Sequence, residues 1–96
     1  MERVSFGKHR FTYHGRAAEL LYDILVEPVQ KEGAVFCENY GARIELKPEE
    51  GAPEVAELRG VTPFRPVIER FLALLCRNGV TPATAGDVLE DYLAEL

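Results

Sequence analysis

His9, His14 and Cys37 are the residue types from which a base and a nucleophile could be assembled. Nothing in their spacing fixes the two imidazoles relative to the thiol. Cys37 lies in "AVFCENY", without the Gly-rich or helix-terminal setting that lowers a thiol pKa. The histidines therefore read as members of an exposed hairpin. A second group, Asp87, Glu90, Asp91 and Glu95, offers the oxygen ligands that a hard cation prefers. Positions this close along a helix point in different directions, so the four read as a solvated outer face. The chain has no phosphate-binding glycine loop, no nucleophile elbow, and no His-Glu-x-x-His or Cys-x-x-Cys pair. The expectation is a protein that is not an enzyme, with no catalytic residue, no metal site and no cofactor.

A third group is basic and aromatic. Arg3, Lys8, Arg10 and Arg16 interleave with Phe6, Phe11 and Tyr13. Cationic side chains beside stacking rings on a sheet can hold single-stranded nucleic acid. The candidate contacts are Arg3, Lys8, Arg10, Arg16, Phe11 and Tyr13. Any half-buried strand with rings inside and charges outside shows the same pattern. The charge distribution weighs against the nucleic-acid reading: residues 1–16 carry +3 and residues 17–96 carry −8, giving the net −5. A body of that sign repels a long polyanion beyond a short local contact.

The elements that would position these groups come from a chain of 96 residues, long enough for one domain with one core. A 47% hydrophobic and 28% charged composition fits an ordinary globular fold. No apolar run is long enough for a membrane span or a secretory leader, so a cytoplasmic location is expected. Cys37 and Cys76, 39 positions apart and without metal-ligand neighbours, read as reduced thiols, partly or fully buried.

The pattern in "RVSFGKHRFTYHG" alternates, with Gly7-Lys8 marking either a hairpin turn or a kink in one strand. "GRAAELLYDILVEPVQ" fits two periods. Leu20, Leu21, Ile24 and Leu25 have helical spacing, whereas Tyr22, Ile24 and Val26 alternate toward Pro28. Gly33 reads as a turn, Val35-Phe36-Cys37 as a strand start, and Gly41 as a bulge or bend. Arg43–Lys47 alternates cleanly with Ile44 and Leu46 inward, residues 48–54 read as a turn, and a short strand starts at Val55. The period then changes to that of helices. One stripe comprises Phe64, Val67, Ile68, Phe71, Leu72 and Leu75, and a second Ala85, Val88, Leu89, Tyr92, Leu93 and Leu96. Phe64, Ile68, Phe71, Leu72, Leu75, Val88, Leu89, Tyr92 and Leu93 are expected in the core, with Tyr22, Ile24, Ile44 and Leu46. Asn78-Gly79 reads as a helix stop. The tripeptide Val-Thr-Pro precedes each stripe, at Val61-Thr62-Pro63 and Val80-Thr81-Pro82. Thr suits an N-cap and Pro the first helical position, so the repeat reads as punctuation, with Thr84 a rival start for the last helix.

The segments "LYDILVEPVQ", "ENYGARIEL", "EVAELRGVTP" and "NGVTPATAGDVLEDYL" resemble a family of small bacterial proteins known only as a domain of unknown function. Its members run from a "YDI" strand through a "YG" strand to a helix, then a Thr/Ser-Pro and an ending of the form D-V-x-E-D-[FY]-L. The matching positions are Tyr22, Asp23, Ile24, Tyr40, Gly41, Thr81, Pro82, Asp87, Val88, Glu90, Asp91, Tyr92 and Leu93. The resemblance covers roughly residues 20–96 and leaves out the basic N-terminal stretch. It implies no activity. It does imply that 20–30 is a strand, so the expected fold is α+β: a single domain, 1–96, with an antiparallel meander of four to five strands through residue 60 and two helices over 61–96 packed on one face. The function this supports is a small acidic interaction or regulatory module that binds a protein partner or itself. Nucleic-acid binding through the N-terminal hairpin is the alternative, and a small enzyme of unrecognised class the second alternative.

Overall fold

The computed structural model describes residues 1–30 and 36–95, apart from the side chains of Tyr13, Gln30, Phe36 and Cys37. The expected turn at Gly33 and the start of a strand at Val35 lie outside the described residues. Four strands come first: β1 (Glu2–Tyr13), β2 (Arg16–Gln30), β3 (Phe36–Pro48) and β4 (Glu54–Thr62), and then two helices, α1 (Arg65–Arg77) and α2 (Pro82–Ala94). The strands form one antiparallel sheet in the order β1-β2-β3-β4. This is the expected α+β meander with four strands, although the last strand runs two residues past the expected boundary.

Alternation divides the sheet into two faces. Ala18, Leu20, Tyr22, Ile24 and Val26 of β2 and Tyr40, Ala42, Ile44 and Leu46 of β3 are buried on one face. They share one core with Ile68, Phe71, Leu72 and Leu75 of α1 and Ala85 of α2. The helices therefore lie on that face, and the opposite face carries the charges. The segment that fits two periods is a strand throughout. It reads as helical because its outer side is also partly apolar: Leu21 is half-buried and Leu25 is 1% exposed.

Gly7 is a kink within one strand. The register passes from Ser5↔Asp23 to Gly7↔Tyr22, which leaves Phe6 as an extra residue. That bulge reverses the pleat. Before it Val4 faces the core, opposite Ile24; after it His9 and Phe11 do, opposite Leu20 and Ala18. The hairpin closes later, at His14-Gly15, where both φ angles are positive (51° and 77°), as a two-residue turn between twisted strands requires. A second bulge sets Arg59, Gly60 and Val61 of β4 against Gly41 alone, since Tyr40 pairs with Thr62 and Ala42 with Leu58. A side chain at Gly41 would collide with the Leu58 carbonyl, so the bend read there is real, and its extra residues lie in the partner strand.

The helices are pinned to the sheet by polar contacts as well as by the core. The hydroxyl of Tyr22, a fully buried residue at the sheet centre, donates to the Val80 carbonyl between the helices at 2.8 Å. Burial, with the nearby Cys76 adding to it, holds that phenol well above the usual tyrosine range. The Cys76 thiol lies 3.5 Å from the Lys8 carbonyl, beside Gly7. The end of α1 closes as expected, with Gly79 at φ 60° and the Val80 amide donating back to the Leu75 carbonyl.

Three expectations need correction. Phe64 is 65% exposed and Leu93 45% exposed, so neither is core; Val88, Leu89 and Tyr92 are half-buried. Thr62 does not cap α1. It is the last residue of β4, and its Oγ1 accepts a hydrogen bond from the Phe64 amide at 3.1 Å, which turns the chain from strand to helix. The N-cap position falls to Phe64, with Pro66 in the first turn. The last helix does begin after Thr81, with Pro82 first, but the Thr81 hydroxyl makes no capping bond; its backbone carbonyl takes the Thr84 and Ala85 amides.

Two stability measurements check this arrangement. Phe71→Ala, which empties a site at 0% exposure beside Tyr92, is expected to cost about 3–5 kcal/mol in denaturant unfolding. Thr62→Ala is expected to cost about 1 kcal/mol through the lost turn bond, and Thr81→Ala distinctly less. Equal losses at the two threonines would contradict the assigned roles.

Candidate functional site

The bulge at Phe6 places Arg3, Lys8 and Arg10 together on the outer face, in register with Leu25, Leu21 and Glu19. The same bulge turns Phe11 to the other face, where it packs against the core. The basic groups and Phe11 thus lie on opposite faces, although Arg10 and Phe11 both line one groove at the hairpin end of the sheet. The side chain of Tyr13 lies outside the described residues. Arg16 sits just past the hairpin turn. Three of the four cations have acidic partners: Arg10 with Glu19 at 3.2 Å, Arg3 with Asp23 at 3.6 Å, and Arg16 with Glu50 at 2.7 Å.

His9 faces the core side, tilted against Phe11 and close beside Gly79, while His14 sits in the hairpin turn. Cys37 pairs with Val29 in the far part of β2 and β3, and His9 with Leu20. Nine residues of β2 separate those two levels, roughly 30 Å. The backbone at Cys37 and that at His9 therefore lie toward opposite ends of the sheet. Asp87, Glu90, Asp91 and Glu95 are exposed along α2, and no cluster of three or more metal-ligating side chains occurs among the described residues. Among those residues no helix is long and apolar enough to cross a membrane.

A charged ladder that crosses the outer face is a feature the sequence does not announce. Asp23 of β2, Arg43 of β3 and Glu57 of β4 are in register across three strands, with Arg3 and Arg59 at the two ends. Arg43 is the hub. It reaches Glu45 at 2.8 Å, Glu57 at 3.4 Å and Asp23 at 3.9 Å, and the Asp23, Arg43 and Glu45 side chains are only about 15% exposed. The hydrogen bond from Arg43 holds the Glu45 carboxyl below the usual carboxylate range. Along this ladder the signs alternate from strand to strand.

Accessible features lie at both ends of the sheet. β1 ends its pairing at Glu2↔Val26 and β4 at Tyr40↔Thr62, yet β2 and β3 continue. Glu27↔Asn39, Pro28↔Glu38, Val29↔Cys37 and Gln30↔Phe36 form a two-stranded ribbon beyond both neighbours. At its base the Tyr40 hydroxyl donates to Glu38 Oε2 at 2.7 Å, and the exposed ring of Phe64 follows two residues after Thr62. At the opposite end an open groove of about 380 Å³ is lined by Phe11, Ala18 and Pro48 among charges of both signs.

Arg43→Gln tests the ladder. It strands three carboxylates beside one another, and the expected loss is about 1.5–3 kcal/mol at neutral pH. Glu45 has a folded pKa below its ordinary 4.5, so its contribution is present above that pH and is lost as pH falls further. Equilibrium unfolding of the two proteins at neutral and acid pH should therefore show the gap narrowing in acid. A gap independent of pH would contradict the ladder.

No curated protein and no solved structure matches the chain. One family model matches residues 1–95, which takes in the basic hairpin that the sequence resemblance left out. The match thus spans the residues of the hairpin, the ribbon and both helices, and the chain belongs to the Family of unknown function (DUF6514).

Proposed function

We propose that the chain is a small cytoplasmic binding module that works by engaging another protein through an exposed strand edge, and that it catalyses no reaction. The observation that carries this reading is the ribbon of β2 and β3, which runs four residue pairs past both neighbouring strands. A two-stranded ribbon alone in water is marginally stable. Its outer edges hold unpaired backbone donors and acceptors, which an incoming strand can satisfy. A ribbon so placed gains stability and a role together when a partner pairs with it. The exposed Phe64 at the ribbon's base supplies apolar area of the kind that anchors an interface.

The nucleic-acid alternative draws less support. Arg3, Arg10 and Arg16 each face a carboxylate, so three of the four candidate cations already have an acidic partner. Affinity capture from host lysate, with and without nuclease, separates the two. The expected result is a protein complex that survives nuclease. A complex that nuclease destroys would overturn the reading, above all if Arg10→Ala with Arg16→Ala weakened it and flattened its salt dependence.

A further inference from the structure

We infer that the strand captured by this module is an extended, basic segment of another protein, which docks on the β3 side of the ribbon in line with β4. This rests on the binding-module reading above and names the edge and the chemistry.

Backbone direction selects the edge. The Glu49 amide donates to the Ala17 carbonyl, so odd-numbered residues of β2 turn their backbone groups toward β3. Even-numbered ones, Pro28 among them, turn toward the β1 side. The β2–β3 register runs without a shift to the end of the ribbon. Pro28 has no N–H, and its position costs the ladder nothing because β1 does not reach it. That side of the ribbon thereby lacks a donor. Glu38, opposite Pro28, must point its N–H and C=O away from β2, along the line that β4 occupies as far as Thr62. Phe36 does the same two residues on. The outer edges of β1 and β4 are each interrupted by a bulge, at Phe6 and at Arg59–Val61, which blunts an edge. The β3 stretch past Tyr40 has neither a bulge nor a proline.

Charge selects the occupant. The described residues of the ribbon, 27–30 and 36–39, carry Glu27 and Glu38 and no basic residue, a net −2. Glu27 Oε1 is shut off from solvent and accepts no hydrogen bond among the described residues. A second copy would set this acidic ribbon against itself. A strand bearing Lys or Arg is attracted to it. Phe64, beside the end of β4, gives such a strand an apolar contact.

The test uses a short labelled peptide of alternating Val and Lys, its Val–Glu counterpart, and the full chain. The Lys peptide is expected to bind, to shift the Phe36 and Glu38 amide resonances more than any on β1, and to leave the chain monomeric; the Glu peptide is not expected to bind. Glu38→Pro deletes the open amide without touching the β2–β3 ladder and should weaken binding about ten-fold or more. Glu38→Gln, which keeps the amide, should change it much less. If Glu38→Pro fails to fold, the resonance map of the unaltered chain decides. No binding of the Lys peptide, shifts confined to the β1 edge, undiminished binding by a folded Glu38→Pro, or self-association through residues 36–38 would each overturn the proposal. If the peptide fails while lysate capture yields a nuclease-resistant protein complex, the edge and chemistry are wrong and the module reading stands; if both fail, that reading falls too.

Discussion

The sheet has one apolar face, and that face must leave water. Leu20, Tyr22, Ile24, Ala42, Ile44 and Leu46 form a continuous surface that the strands cannot bury themselves, so the two helices have to be held across it. Hydrophobic burial supplies the drive but little direction. Direction comes from a small set of polar and steric fixtures: the Tyr22 hydroxyl on the Val80 carbonyl, the Thr62 hydroxyl under the Phe64 amide, and the thiol of Cys76 over Gly7. Together they fix where α1 starts, where it ends and where the chain turns into α2.

The same constraint explains why part of the sheet stays open. Each helix of 13 residues spans about 20 Å, whereas the 15 residues of β2 span about 50 Å. Two such helices cannot roof the whole sheet. The molecule is accordingly long, 54 × 28 × 17 Å, and β2 and β3 run on as a ribbon past both neighbours. On the outer face the charges at the centre of the sheet are matched. Arg43 and its three carboxylates tie the strands to one another and leave little field to attract a polyanion. Among the described residues the ribbon edge and Phe64 stand exposed at one end of the molecule.

Much of this architecture was legible in the sequence. The alternation at Arg43–Lys47 and the stripe from Ile68 to Leu75 each obey one period, and Gly79 stops α1 where a left-handed residue is needed. The stretch 16–30 resisted because Leu21 and Leu25 make its outer side apolar too, which imitates helical spacing; the family resemblance, not the periodicity, resolved it. Phe64 fits the helical stripe by phase but precedes the helix, so its ring points into solvent. The candidate contact residues were separated by a single extra residue, Phe6, whose effect on the pleat appears only once Ser5 and Gly7 have been matched to Asp23 and Tyr22. The Arg43 ladder and the open edge at Glu38 are properties of strand register, which local pattern does not encode.

The central claim is that the β3 edge past Tyr40 stands open in the free protein, ready to accept a strand. Amide hydrogen exchange of the free chain, resolved by residue, tests it most directly. The account predicts fast exchange at Glu38, whose N–H points away from β2, and slower exchange at Asn39, whose N–H points toward it, while Ala42 and Arg43 are both protected within the four-stranded sheet. Protection of the Glu38 amide equal to that of Arg43 would show the edge already occupied and would contradict the account.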